Sequence, residues 1–221
     1  MRKSIINLAV FSLLILSISV PSVALQFKQL GWQDLVKKVE FEDPFEALTS
    51  DQLVDLGLVA RVRQLQASGR DVSKSTIEEK EEATGRLKQA GIDIEGLLAR
   101  RGEIRELRKQ RAHAVVQDLN GQQVRMPGYA LPLEYAGHKI TEFLLVPWVG
   151  ACIHTPPPPP NQIVYVKVTE GIENRGRFTP VWVAGEMTVK TETKNLYLVD
   201  GSAGIDVGYS LQASAVETYR K

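Results

Sequence analysis

The chain has 221 residues, a formal net charge of +1, 27 Lys and Arg against 26 Asp and Glu, and one cysteine. That balance gives no argument for nucleic acid or an anionic membrane surface as partner. A single Cys152 excludes an intramolecular disulfide, and a leftover thiol in an oxidising compartment must be buried, metal-bound or paired between chains.

The N-terminus reads as an export signal. Arg2 and Lys3 form a charged start, Ile5 to Val20 is a short apolar run interrupted by serines, and Ser22-Val23-Ala24 has the small residues a signal peptidase needs. The expectation is cleavage after Ala24, with residues 1–24 as signal peptide and a periplasmic or secreted mature chain. An uncleaved anchor is the alternative, disfavoured because the run is short for a spanning helix. No Cys follows the run, so a lipid anchor at that point is not available. The remaining length is enough for a real core.

Residues 25–119 are expected to be a helical region. Asp43-Pro44 resembles an N-cap with Pro at the first helical position, and Thr49 with Gln52 offers a second start as a capping box. Leu48, Leu53, Leu56, Leu58, Val62 and Leu65 then recur at roughly helical spacing, up to Ser68-Gly69. Ser75 with Glu78 predicts a charged second helix ending at Ala90-Gly91, and Asp93 caps a third helix from about Ile94 to Leu119. That helix carries Arg100, Arg101, Arg105, Arg108, Lys109 and Arg111. Two readings are open, a partner- or phosphate-binding face and a solvated face with interleaved charge pairs, and the interleaved Glu95, Glu103 and Glu106 favour the second.

Beyond Asn120-Gly121 the apolar period shifts towards two, so residues 120–221 are expected to be a β domain. Strands are predicted over 122–133, broken at Pro127-Gly128, then over 140–148, 162–168, 180–191 with a bulge at Gly185, and 209–219; residues 195–208 read as loop or short helix. The predicted fold class is α+β: an N-terminal helical segment followed by a small five-stranded antiparallel OB-like β-barrel.

The segment Pro147-Trp148-Val149-Gly150-Ala151-Cys152-Ile153-His154-Thr155, followed by Pro156 to Pro160 and Asn161-Gln162, carries the chemistry. In extended chain, Cys152 and His154 point to one face with Cα atoms roughly 6.5–7 Å apart. Thiolate and imidazole suit zinc or copper; His138 is the further candidate ligand, and Met126 or Met187 offers sulfur to Cu(I). The alternatives are a buried structural cysteine with His154 hydrogen-bonded locally, and a thiol nucleophile for which a neighbour at i+2 is a poor base. Five consecutive prolines favour polyproline II and donate no backbone hydrogen bonds; a rigid strap between strands is preferred over a ligand for an aromatic groove. CxxC, Gly-rich phosphate-loop, GxSxG and HExxH motifs are absent from the sequence.

The strings Gly128-Tyr129-Ala130-Leu131-Pro132-Leu133, Glu142 to Pro147, and Gly150-Ala151-Cys152-Ile153-His154 with the prolines and Asn161-Gln162 resemble a family of exported proteobacterial proteins known as a domain of unknown function. Gly31-Trp32-Gln33-Asp34-Leu35 and Asp43-Pro44-Phe45 resemble its N-terminal part. The resemblance covers roughly 119–219 and implies an extracytoplasmic protein, often encoded beside ABC-type export or lipoprotein-release permeases and, in some cases, zinc-responsive genes. The functional expectation is an exported accessory protein of an envelope transport system, with ABC-type transporter components as partners and zinc or copper held at Cys152, His154 and His138. The alternatives are a thiol-dependent enzyme using Cys152 and a ligand-free structural or interaction protein.

Overall fold

The structure is a computed structural model and describes residues 26–151, 157–198 and 201–218. It is an α+β arrangement with three α-helices and a six-stranded, mostly antiparallel sheet. The expected cleavage site after Ala24 lies outside the described residues.

The helices form where capping residues meet apolar spacing. Helix α1 spans Ser50–Ala67, and its N-cap is Thr49, whose hydroxyl accepts from Gln52 N while the Gln52 side chain accepts from Thr49 N. The second of the two expected starts is therefore the one used. Asp43-Pro44 instead opens a turn, in which Asp43 accepts from Phe45 N at 3.1 Å. Helix α2 spans Lys74–Gln89 and is capped by Ser73, not Ser75: Ser73 Oγ accepts from Thr76 N at 3.2 Å. Helix α3 spans Ile94–His113, with Asp93 accepting from Gly96 N at 3.0 Å. It stops six residues before the expected end. Val115 is already extended and bridges to Val36, and Val116 N donates to the Tyr209 phenol. The bridge to Val36 and the Tyr209 phenol satisfy these β-branched residues outside the helix.

The strands are β1 (Lys28–Gln29), β2 (Gln123–Ala136), β3 (Lys139–Val146), β4 (Val164–Glu173), β5 (Thr179–Leu198) and β6 (Gly201–Thr218). Their order is β1-β2-β3-β4-β6-β5, and β2 also pairs with β5. The β1–β2 and β4–β6 pairs are parallel and the others antiparallel. The two-residue β1 was not foreshadowed by the apolar pattern.

Two strand boundaries differ from expectation. Strand β2 runs unbroken through Pro127 and Gly128, which pair with Trp182 and Val181. A Cβ on Gly128 would meet Leu145 at 2.7 Å and Trp32 at 2.8 Å, so the glycine marks a close approach within the strand rather than a break. Of the residues expected as loop, 195–198 lie in β5 and 201–208 in β6, where Asn195 pairs with Gly204 and Tyr197 with Ser202. Ile205, Val207, Tyr209 and Leu211 are all buried, a period-two pattern that the flanking glycines and aspartates obscured. The bulge expected at Gly185 is present as a register shift between Ala184 and Gly185.

The main core packs Val124, Met126, Phe143, Leu145, Val166, Val183, Tyr209 and Leu211. A second cluster joins Leu131, Leu144, Val146, Ala151, Ile163, Leu196 and Val207. Alternate residues of β3 serve the two clusters, and this explains its continuous apolar run from Phe143 to Val146. Leu30 and Leu35 bury into the main core, so the segment after β1 is packed with the sheet. The helices have a smaller cluster of Leu56, Val59, Ala83, Leu87 and Ile94.

Candidate functional site

Cys152, Ile153, His154, Thr155 and Pro156 lie outside the described residues, but the chain on both sides of them is described. On the near side, β3 ends at Val146; Trp148 is 41 % and Val149 61 % exposed, and Ala151 is buried in the second cluster. On the far side Pro157 is exposed, Pro158 is buried, and Pro159 has φ −59° and ψ 149°, the polyproline II region. Pro160 does not continue that conformation: it starts a single 3₁₀ turn over Pro160–Gln162, closed by Gln162 N donating to Pro159 O at 2.7 Å.

Asn161 explains why the prolines end where they do. Its side-chain nitrogen donates to Arg111 O at 2.9 Å and Ala114 O at 3.0 Å, satisfying two carbonyls at the end of α3. The residue is 2 % exposed. Beneath it, a Cβ on Gly208 would meet Pro160 O and Val115 Cγ1 at 2.9 Å, so only glycine in β6 lets the strap lie this close. Tyr209 completes the clamp: its phenol donates to Leu35 O at 2.6 Å and accepts from Val116 N at 2.7 Å. The phenol is fully buried, and burial pushes its pKa up. One residue pair, Gly208-Tyr209, thus ties the proline strap, the end of α3 and the N-terminal segment to the sheet.

The other candidate ligands are spread out. His138 sits exposed at the turn between β2 and β3, with the whole length of β3, about 27 Å, between it and the strand end leading to the motif loop. Met126 and Met187 are both buried in the main core. Among the described residues, no group of three or more His, Cys, Asp or Glu is placed to hold a metal ion.

A model of the family described as Protein of unknown function (DUF3299) matches residues 32–218. The chain belongs to this family. A crystal structure of a DUF3299 protein from Pseudomonas aeruginosa PAO1 is similar, with 27 % identity over 89 % of this chain and 98 % of that one, at a TM-score of 0.47. None of the curated proteins matches. Within the DUF3299 match fall Trp32, the motif loop and the Gly208-Tyr209 clamp.

Two features of this DUF3299 chain were not singled out from sequence as sites. The first is a shallow groove of about 390 Å³ lined by Trp32, Tyr129 and Trp182 with Pro127, Pro147 and Pro180. Arg125 stacks 4.2 Å over Trp182 and pairs with Glu217 at 3.1 Å. The aromatic residues come from three separated segments: the pairing of β2 with β5 joins Tyr129 and Trp182, and Trp32 packs against Gly128 of β2. The second is a polar group beside the second cluster. Burial and then a hydrogen bond to the Glu142 carboxylate push the Tyr165 phenol above its ordinary pKa, and Lys194 lies 3.7 Å over the Tyr165 ring. Glu192 is partly buried, which raises its pKa, but hydrogen bonds from Ser210 and Lys194 outweigh that and leave it lowered.

Proposed function

We propose that this DUF3299 protein is an exported accessory protein of an envelope transport system, working through the loop between β3 and β4. In this reading Cys152 and His154 are a soft donor pair for zinc or Cu(I), and ABC-type transporter components are the partners. The observation that carries it is the anchoring of the loop's flanks. Ala151 is buried on one side, and Asn161 and Pro160 are fixed against α3 and Gly208 on the other. These anchors fix where the described chain enters and leaves the motif segment, and the exposed Trp148 and Val149 on the near side offer apolar contact area. His138 lies far along β3, so the pair would take its remaining donor from the docked partner. Such a site suits transfer better than storage.

The scaffold in this proposal is an OB-like five-stranded barrel. In its support, β2, β3, β4, β6 and β5 pair in sequence and β5 pairs back to β2, with β4–β6 as the parallel pair. Export follows from the charged start and apolar run of the N-terminus, with cleavage after Ala24.

The test is metal analysis of protein recovered from the periplasm under reducing conditions, with zinc and Cu(I) titrations of the parent, Cys152→Ser and His154→Ala. Binding by the parent at micromolar metal, lost in both variants, is the expected result. Unchanged binding in Cys152→Ser, or none by the parent, favours a structural loop. N-terminal sequencing should start at Leu25; an intact Met1 on a membrane-embedded product would overturn the export reading.

A further inference from the structure

We propose that the groove between α1 and α3 is a docking site for an acidic amphipathic helix of a partner protein. None of its lining residues belongs to the motif, and the proposal does not rest on the metal reading. The groove has a volume of about 250 Å³ and an apolar floor of Phe45, Leu53, Leu56, Leu98 and Ile104. Leu53 is 42 % exposed although it sits on the inner side of the groove. Arg101, Arg105 and Arg108 stand along the α3 side.

The arginines decide the occupant. In the helical region Arg63 pairs with Glu95, Arg86 with Asp55, Arg100 with Glu103, Arg108 with Asp43 and Arg111 with Glu46. Arg101 and Arg105 have no ion pair among the described residues, and both are exposed. They are four residues apart on one helix face, a spacing at which like charges oppose helix formation. No carboxylate of the described chain forms an ion pair with either arginine, whereas one on a docked partner would. Arg108 displays the geometry at the end of the same groove: it holds Asp43 through two hydrogen bonds, at 2.6 and 3.0 Å, while stacking over Phe45.

Shape favours a helix over a lipid. The lining runs from Leu53 to Ala60 on α1, about 10 Å, and from Leu98 to Arg108 on α3, about 15 Å. Apolar anchors at i, i+3 and i+7 of a helix span about 10 Å. Gly57 fits the same purpose. It lies mid-helix, where glycine is disfavoured, and a Cβ there would meet nothing within 4 Å. No neighbour in the chain requires the small residue, and its smallness keeps the floor clear.

The experiment uses the full mature chain. The probe is a synthetic helix with Leu at i, i+3 and i+7 and Glu on both flanks, read by fluorescence anisotropy. A helix with the same anchors and Lys flanks, and vesicles of phosphatidylglycerol, are run beside it. The acidic helix should bind, more weakly as salt rises. Arg101→Glu with Arg105→Glu should weaken it about tenfold at an unchanged urea midpoint. Gly57→Leu should block binding while the urea midpoint stays level or rises, since Leu is the better helix former. Absence of binding, equal binding of the Lys-flanked helix, binding of the vesicles alone, or indifference to both variants would each overturn the proposal.

Discussion

The sheet and the helices of this chain are held by different physics. In the sheet, the strands bury two apolar clusters, and β3 contributes to both. The helices share a cluster of five buried side chains and rely on ion pairs that are mostly exposed. Exposed ion pairs contribute little each and are screened by salt, whereas buried apolar area is not. The comparison says that stability resides in the sheet, while the helical surface is free to carry unpaired charge and an open groove.

The sharpest way to break that comparison is to cut the sheet core. Phe143→Ala removes a fully buried ring and should lower stability by ~3–5 kcal/mol by urea unfolding. A loss below 1 kcal/mol would mean that the core is not where the stability lies. Tyr209→Phe should come next. It keeps the ring but leaves Leu35 O and Val116 N without their buried partner, for a loss of ~1–3 kcal/mol. Hydrogen exchange at Val116 should rise in the same variant.

The join between the two regions gives the next smaller effect. Asn161→Ala should cost about 1–2 kcal/mol by uncapping α3, with fraying of the last turn visible in exchange at its end. In the helical region, Asp43 in the turn before α1 is the most buried partner of an ion pair, its carboxyl held below the ordinary carboxylate value first by the Arg108 hydrogen bonds. A depressed folded pKa means that its contribution is present above the unfolded value of about 3.8 and is lost as pH falls through the folded value. The parent should therefore lose stability on acidification below about pH 4 more steeply than Asp43→Asn. Equal slopes would remove Asp43 from the acid response. The smallest change is expected for Arg63→Ala at the exposed Glu95 pair, ~1 kcal/mol or less.

The same division governs what could be read from the residues. Helix existence and two of the caps were legible, because Thr49 with Gln52 and Asp93 act within a single turn. The α3 end at His113 was not, since it is set by Val36, Tyr209 and Asn161, all remote in sequence. Strand periods were legible except at Pro127-Gly128 in β2, the end of β5 from Asn195, and β6 where glycines interrupt it; β1 is too short to have a period. For the site, the motif loop stood out by composition. The role of Asn161 as a helix cap did not, because its partners lie 47 and 50 residues away. The grouping of Trp32, Tyr129 and Trp182 likewise needs the β2–β5 pairing.

The central proposal is that Cys152 and His154, in the segment between β3 and β4, form a metal-binding pair while the sheet supplies the stability. A single paired measurement tests it: Cu(I) and zinc titration of Cys152→Ser alongside its urea midpoint. The account predicts that binding is lost and the midpoint is unchanged within the error of a surface substitution. Retained binding, or a midpoint lowered as a core deletion would lower it, would contradict the account and make Cys152 a structural residue.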